Sequence, residues 1–235
     1  MKKACTLTLL TVLLAAALLL SGCAQQYVRV PLTASGKNAV ENECLFYADY
    51  CDELMLPGRY GAVRADDGTL IASETRRLRC IGDFFWSNVI CIYDVSERRY
   101  SLDRSEYVLY VRELGLSDAE YFGDDEDGLL IHCDRCVKYE ASAVLDRDEY
   151  DALCAYLRQA EFQKQPTLPD ERGMDGYSVY IEQAQHLVSR WCPEEGSMAW
   201  TVYDMLQDMA RQHGLAHTHI VMTDGEPEAE TESSR

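Results

Sequence analysis

The longest apolar stretch of this 235-residue chain lies at its N-terminus, from about Leu7 to Leu20, directly after Lys2 and Lys3. A positive start, an apolar centre and small residues before a cleavage point are typical of a secretory signal. The stretch is shorter than the roughly 20 residues of a membrane-spanning helix, and no later stretch is long or apolar enough to span. The sequence therefore predicts a cleaved export signal.

The signal ends on Leu20-Ser21-Gly22-Cys23, which resembles the lipobox of bacterial lipoproteins. The resemblance implies cleavage before Cys23 and its lipidation, palmitate included. Removing residues 1–22, which carry two lysines and no acid, would leave 213 of the 235 residues and change the net charge from −18 to −20. Several acyl chains anchor a protein stably, so we expect it on the extracytoplasmic face of the cell membrane, or at the outer membrane if the host has one.

Composition and charge narrow the classes of function. Hydrophobic residues make up 47% of the chain and charged residues 26%, which excludes a fully disordered chain and a multi-span membrane protein. The net charge is −18 and basic residues are not clustered, whereas binding to nucleic acid needs clustered cations. The expected partners are the membrane, through the lipid, and a protein or small molecule whose identity stays open.

Eight cysteines remain once the signal is removed and Cys23 carries lipid, and an even number in an exported chain is typical of disulfides. A hairpin centred between Phe85 and Trp86 would place Cys80 directly opposite Cys91, at a separation that suits a disulfide. The full connectivity stays open. The eight residues are Cys44, Cys51, Cys80, Cys91, Cys133, Cys136, Cys154 and Cys192.

Cys133 and Cys136 form a C-x-x-C motif directly after His132. A redox pair needs a helix at the first cysteine, whereas Gly128–Ile131 and Val137–Ala141 are typical of strands. A zinc site needs two further ligands, and no second C-x-x-C is present. We therefore favour a structural disulfide or two thiols in a turn and keep the redox pair and the metal site as alternatives. No cofactor is predicted.

Two further clusters invite a metal interpretation that we do not favour. In the acidic loop Asp124–Gly128, Gly123 stands where a calcium loop has aspartate, so we interpret the loop as a solvated turn. His213, His217 and His219 form H-x-x-x-H-x-H, but Gly214 predicts that the preceding helix stops before they can share a face.

The first half of the chain predicts one helix and then strands. The helix covers Asn42–Met55 and carries Leu45, Ala48, Cys51 and Met55. The sequence Asp66-Asp67-Gly68 predicts a hairpin turn between the first two strands. The predicted strands are Arg59–Arg64, Thr69–Ser73, Arg77–Ile81, Asn88–Val95 and Tyr107–Arg112.

The second half predicts two helices around two strands. Asp146 and Glu149 fit a capping box for a helix to about Ala160, with Cys154 on its buried stripe. The strands Tyr177–Glu182 and His186–Trp191 follow. A last helix starts at Cys192-Pro193-Glu194-Glu195 and ends at Gly214, and the acidic residues from Asp224 onward predict a disordered tail.

These elements predict an α+β fold: a mainly antiparallel sheet of about seven strands with two main helices packed on it. The predicted organisation is a signal at 1–22, a lipidated N-terminus and tether at 23–40, one domain at 41–222 and a tail at 223–235.

The segment from Leu145 to Gly214 is similar to a functionally uncharacterised domain of bacterial exported proteins. The similarity rests on the capped helix, on Gly173-Met174-Asp175-Gly176 and, most specifically, on Arg190-Trp191-Cys192-Pro193. That family usually has serine at the position of Cys192, so the cysteine here suggests a bond, and a Cys154–Cys192 bridge is conceivable. The resemblance implies a fold and no activity.

No motif of serine hydrolases, phosphate-binding loops or zinc proteases is present. Glu182, His186, Arg190 and Trp191 form a candidate polar patch on the two paired strands, for which we favour a structural role. We therefore expect a membrane-anchored, non-enzymatic binding or envelope-associated module. The alternatives are thiol-disulfide or metal handling through His132-Cys133-x-x-Cys136, and a hydrolase with a scattered active site.

Overall fold

The computed structural model describes residues 37–84, 89–116, 121–125, 128–132, 135–168, 176–215, 218–223 and 226–231. Within these ranges it contains a seven-stranded antiparallel sheet, two two-stranded sheets and four helices. The predicted α+β class is confirmed. No helix in these ranges is long and apolar enough to cross a membrane.

The helices are α1 (Lys37–Glu53), α2 (Arg147–Leu157), α3 (Ala160–Gln163) and α4 (Met198–Gln212). The strands are β1 (Tyr60–Arg64), β2 (Leu70–Phe84), β3 (Val89–Arg99), β4 (Ser105–Leu116), β5 (Tyr121–Asp125), β6 (Gly128–His132), β7 (Arg135–Leu145), β8 (Tyr177–Gln183), β9 (His186–Trp191), β10 (Thr218–Thr223) and β11 (Glu226–Thr231).

The main sheet has the strand order β7-β4-β3-β2-β8-β9, and β1 pairs with β2 beside this path. One edge of β2 is shared between two partners, because β1 pairs with residues 70–75 and β8 with residues 78–84. A bulge separates these halves, where the register to β3 shifts between Arg76 and Leu78. The β1–β2 hairpin turns at the predicted Asp66-Asp67-Gly68, and Gly68 has a φ of 83°.

The main core lies between one face of the sheet and helices α2, α3 and α4. Tyr203 of α4 packs on Phe84 of β2 and Tyr93 of β3, with ring centroids 5.4 and 5.5 Å apart. Helix α2 begins with the predicted capping box, in which the Asp146 N–H donates to the Glu149 carboxylate at 2.7 Å. This local signal predicted the helix start because it needs no distant partner.

A second, smaller core lies on the opposite face of the sheet, under α1. The helix is present as predicted, but Leu45, Ala48 and Met55 of its predicted stripe are exposed. The helix instead buries Tyr47, whose ring lies 5.8 Å from that of Tyr180 on β8. Aromatic contacts with the sheet, which helical spacing alone does not encode, therefore select the buried face.

The predicted start of the last helix at Cys192-Pro193 is wrong. Helix α4 begins five residues later, where the Ser197 hydroxyl accepts from the Trp200 N–H. Cys192 and Pro193 instead extend the β9 edge: the Cys192 N–H donates to the Tyr177 carbonyl, and the Tyr177 hydroxyl donates to the Pro193 carbonyl at 2.6 Å. The helix ends at Gly214 as predicted, with a φ of 66°.

The prediction of a disordered tail from residue 223 is also wrong for residues 226–231, which form β11 and pair with β10. Two buried polar side chains hold β10 on the body of the protein. The Gln207 amide of α4 exchanges hydrogen bonds of 2.7 and 3.0 Å with the Ile220 backbone, and Glu113 of β4 accepts from Thr218. The polar segment β11 is therefore ordered by pairing with a strand that the body of the protein holds in place.

Gly82 of β2 provides a test of the main core. A Cβ at this position would overlap with the rings of Phe84 and Tyr203. We expect Gly82→Ala to lower the free energy of unfolding by about 1–3 kcal/mol, because the two rings cannot move apart in a packed core. Chemical denaturation measures this change. Gly58→Ala, where a Cβ meets no atom within 4 Å, is the control and should have little effect; equal stability of the two variants would contradict this packing.

Candidate functional site

The four residues of the predicted polar patch do not come together. Glu182 lies on the face that α1 covers, where its carboxylate accepts from Arg76 at 2.8 Å. His186 lies on the other face, with its ring 5.7 Å from that of Phe162 in the main core. Arg190 donates to the Pro166 carbonyl and to Gln165, and thereby fixes the loop that leaves α3. Alternation along β8 and β9 places Glu182 and Trp191 on one face and His186 and Arg190 on the other, so the four residues do not form one patch. Trp191 covers Gly176, where a Cβ would overlap with its indole.

The predicted direct opposition of Cys80 and Cys91 is also wrong. Cys80 pairs with Tyr93, and Cys91 pairs with Gly82. Phe84 pairs with Val89, so the centre of the hairpin lies one residue later in the chain than predicted. Moving the centre by one residue changes the partner of every strand residue by two, which is why Cys80 faces Tyr93 and not Cys91. Burial raises the pKa of the Cys91 thiol to about 12, and the nearby Glu113 charge adds to the effect. A thiol with so high a pKa in the core is a poor nucleophile.

The cysteines whose side chains the structure describes are free thiols: Cys44, Cys51, Cys80, Cys91, Cys154 and Cys192. Cys154 is buried on α2 as predicted. Their pairing in an oxidising compartment, including the Cys154–Cys192 bridge, stays a prediction.

The C-x-x-C motif lies where β6 passes to β7. Cys133 is outside the described residues, and for His132 and Cys136 only the backbone is described. The predicted strands on both sides are confirmed, and a strand, not a helix, begins at Arg135. The helix dipole that lowers the pKa of the first cysteine in redox pairs is therefore missing here.

The other predicted clusters do not converge either. His213 contacts the Glu149 carboxylate at 2.9 Å, whereas His219 lies 3.4 Å from Arg211; His217 is outside the described residues. The acidic sequence at 124–128 joins β5 to β6, with residues 126 and 127 outside the described part. Among the described residues, no group of three His, Cys, Asp or Glu side chains could hold a metal ion.

A polar cleft that the sequence did not reveal lies on the face that α1 covers only in part. Residues 54–59, which we term the strap, lead from α1 to β1 and form one wall of this cleft. Its floor is formed by β3 and β4 with Asp94, Ser96 and Tyr110, and Glu140 of β7 lies at the far wall. Its volume is about 290 Å³, enough for a small ligand. We term it the strap cleft.

Two arginines of β2 fix the strap to the sheet. Arg76 and Arg79 donate to the Pro57 carbonyl at 2.9 and 3.2 Å, and the Arg76 N–H donates to the Arg59 carbonyl at 2.9 Å. Residues three apart on a regular strand point to opposite faces. The bulge at Arg77 adds one residue, so Arg76 and Arg79 both reach the strap.

Ion pairs hold both arginines in place. Arg79 is 2% exposed and binds Asp94 with two bonds of 2.7 and 2.6 Å. Burial alone would lower the pKa of Arg79, but its hydrogen bonds to Asp94 and the charge of that carboxylate raise it above its ordinary value. Arg76 binds Glu182 at 2.8 Å. The floor and one wall are therefore organised before any ligand arrives.

Two polar groups in the cleft have no such partner. Ser96 lies in the lining and is 5% exposed; its hydroxyl makes no hydrogen bond with another described residue and is not among the fully enclosed polar atoms, so it is accessible from the cleft. The guanidinium of Arg59 likewise has no partner in the described part of the chain. The carboxylates at the cleft are engaged by arginines, and its described lining contains neither His nor Cys to activate Ser96. This arrangement is suited to binding.

A signal for part of this site is present in the sequence. Arg79 stands between Leu78 and Cys80 in the apolar part of β2, and a charge in such a position indicates an ion pair across the sheet. The bulge and the return of the strap from α1 leave no comparable local pattern.

The protonation of His186 has a measurable consequence. Burial, and then the charge of Arg190, lowers the pKa of His186 below its ordinary value. The unfolded chain therefore binds this proton more readily, so stability falls as the pH drops from about 6.5 towards the lower folded-state pKa. We expect His186→Gln to flatten the pH dependence of unfolding in that window and to shift the profile only by a constant above pH 7.5. Parallel profiles throughout would contradict the assignment.

No protein-family model matches the chain, and neither a curated protein nor a solved structure matches it. The similarity of Leu145–Gly214 to an uncharacterised exported domain stays a prediction, as does the lipobox.

Proposed function

We propose that this chain is an exported lipoprotein, anchored through lipid on Cys23, that binds a small polar ligand in the strap cleft. The observation that carries the binding function is that Arg59 and Ser96 line the same cleft and neither side chain bonds another described residue. Ion pairs of Arg76 and Arg79 hold the surrounding wall and floor in place. Preorganisation favours binding because little side-chain entropy is lost when the ligand arrives.

The proposed anchor is joined to this cleft through α1 and the strap. Residues 24–36 separate Cys23 from α1, and a chain of that length reaches at most about 45 Å. Helix α1 ends in a Schellman motif, in which the Met55 and Leu56 N–H groups bond the Asp52 and Cys51 carbonyls, and the strap follows directly. The proposal therefore keeps the ligand site close to the membrane surface, as suits a protein that captures a solute there.

A thiol-disulfide or metal function of the C-x-x-C motif has no observation in the described residues that favours it. Its strand-to-strand setting lacks the helix of a redox pair.

The lipid anchor is tested by producing the full chain in a bacterial host. We expect the wild-type protein in the membrane fraction, with an N-terminal peptide that begins at Cys23 and carries the mass of its acyl chains. Cys23→Ser should abolish the lipid mass, and the membrane fraction should then contain no chain that has been cleaved before residue 23. The matched control is Cys5→Ser, which changes a residue of the removed signal and should alter neither; an unmodified Cys23 in the wild type would contradict the anchor.

The binding function is tested by thermal unfolding of the detergent-solubilised full chain with a panel of amino acids, peptides, sugars, nucleotides and organic acids. A ligand at 100 times its Kd stabilises the folded state by about 2.7 kcal/mol, which raises Tm by several degrees. We expect at least one panel member to raise Tm, and Ser96→Val to abolish that shift.

Ser101→Val, in the turn after β3, is the control for this experiment and should retain the shift. Two results would contradict the proposed function: a panel with no stabilising member, or a shift that survives Ser96→Val.

A further inference from the structure

The charges around the strap cleft narrow the class of ligand, and this inference rests on the proposed binding function. Arg59 provides a guanidinium without a partner among the described residues. Glu140 binds Arg112 through its Oε2 alone, which accepts from both Nε and Nη2 at 2.7 and 2.6 Å. Its Oε1 has no partner in the described part of the chain, and its side chain is 54% exposed. The same cleft is therefore lined by an unpaired guanidinium and by a carboxylate that, although ion-paired with Arg112, keeps one oxygen available as an acceptor.

These two sites lie at opposite walls. The Arg76 N–H donates to the Arg59 carbonyl, and Arg76 lies directly opposite Ser96 in the register of β2 and β3. Arg59 and Ser96 therefore lie in one row across the sheet. Glu140 lies on β7, opposite Arg112 of β4. A ligand that bridges the walls therefore has its negative group at Arg59 and Ser96 and its positive group at Glu140.

The sheet registers give the required length. From Ser96 the path crosses to Val108 on β4, runs four residues along that strand to Arg112 and crosses again to Glu140. Two inter-strand spacings and four residues of strand place the backbones of Ser96 and Glu140 about 16 Å apart. A hydrogen bond of about 3 Å at each end of this gap leaves roughly 10 Å for the ligand, which is the length of about three extended residues.

The net charge of the protein also disfavours a ligand that is a simple anion. The chain carries a net charge of −18, which repels negative ligands at low ionic strength, whereas a ligand without net charge is not repelled. We propose that the strap cleft binds a short zwitterion whose two charges lie about 10 Å apart, such as a tripeptide with free termini, with the carboxylate at Arg59 and Ser96 and the ammonium at Glu140.

Three probes that differ only in their terminal charges test this inference by titration calorimetry on the detergent-solubilised full chain. They are triglycine, N-acetyl-triglycine, which keeps only the carboxylate, and triglycine amide, which keeps only the ammonium. We expect triglycine to bind at least tenfold more tightly than either blocked peptide.

Two variants assign the ends. Arg59→Gln should remove the preference for triglycine over its amide and leave the preference over the acetylated peptide. Glu140→Gln should have the reverse effect. Arg158→Gln, an exposed residue at the end of α2 on the other face of the sheet, is the control and should change neither ratio.

Three results would overturn the inference. Equal affinity for N-acetyl-triglycine would assign a simple anion to the cleft. Failure of all three probes, while another panel compound still raises Tm in a Ser96-dependent way, would leave the proposed binding function intact and exclude this ligand class. Failure of both the probes and the panel would exclude the binding function as well.

Discussion

The strap cleft depends on the ion pair between Arg79 and Asp94. Arg79 lies almost completely buried on a face of the sheet, and moving a guanidinium from water into such a position costs several kcal/mol. Asp94 offsets this cost with two hydrogen bonds, and the Pro57 carbonyl accepts a third. The same guanidinium therefore neutralises the floor of the cleft and attaches the strap above it. Without this pair, the strap keeps only its bonds to Arg76, and the position of Arg59 relative to Ser96 is less firmly fixed.

The bulge in β2 makes this arrangement possible. It turns Arg76 and Arg79 to one face, while Arg77 reaches Glu97 near the other core. It also marks the point where the free edge of β2 passes from β1 to β8. The bulge thus lets one edge of the long strand pair with both β1 and β8 while the arginines on either side of it both reach the strap. Substituting the arginines therefore affects the cleft, whereas substituting Gly82 affects the main core.

Local signals in the sequence predicted much of the fold and little of the site. The capping box at Asp146 and Glu149 and the turn at Asp66-Asp67-Gly68 depend on neighbours within a few residues, and both are confirmed. The wrong predictions concern segments whose structure depends on distant residues. Tyr177 binds the Pro193 carbonyl and keeps Pro193 out of the last helix. Gln207 anchors β10, with which the predicted disordered tail pairs.

The site itself joins residues far apart in the chain. Arg79 meets Pro57 and Asp94, and Arg76 meets Glu182 more than 100 residues later. Periodicity identifies which face of a strand is apolar, but it does not show a bulge that reverses the pattern midway. The strap cleft was therefore not predictable from spacing, although Arg79 was visible as a charge within the apolar part of β2.

The most direct measurement is hydrogen exchange by mass spectrometry on the full chain, comparing the wild type with Arg79→Met. The account predicts faster exchange in peptides covering residues 54–64 and at the Arg76 amide, which donates to the strap, while peptides from β9 and α4 keep their protection. Arg112→Met, which breaks the pair at the far wall and touches no part of the strap, should leave residues 54–64 protected. Wild-type protection of the strap in Arg79→Met, or an equal increase in exchange across the whole sheet, would contradict the claim that this arginine holds the strap.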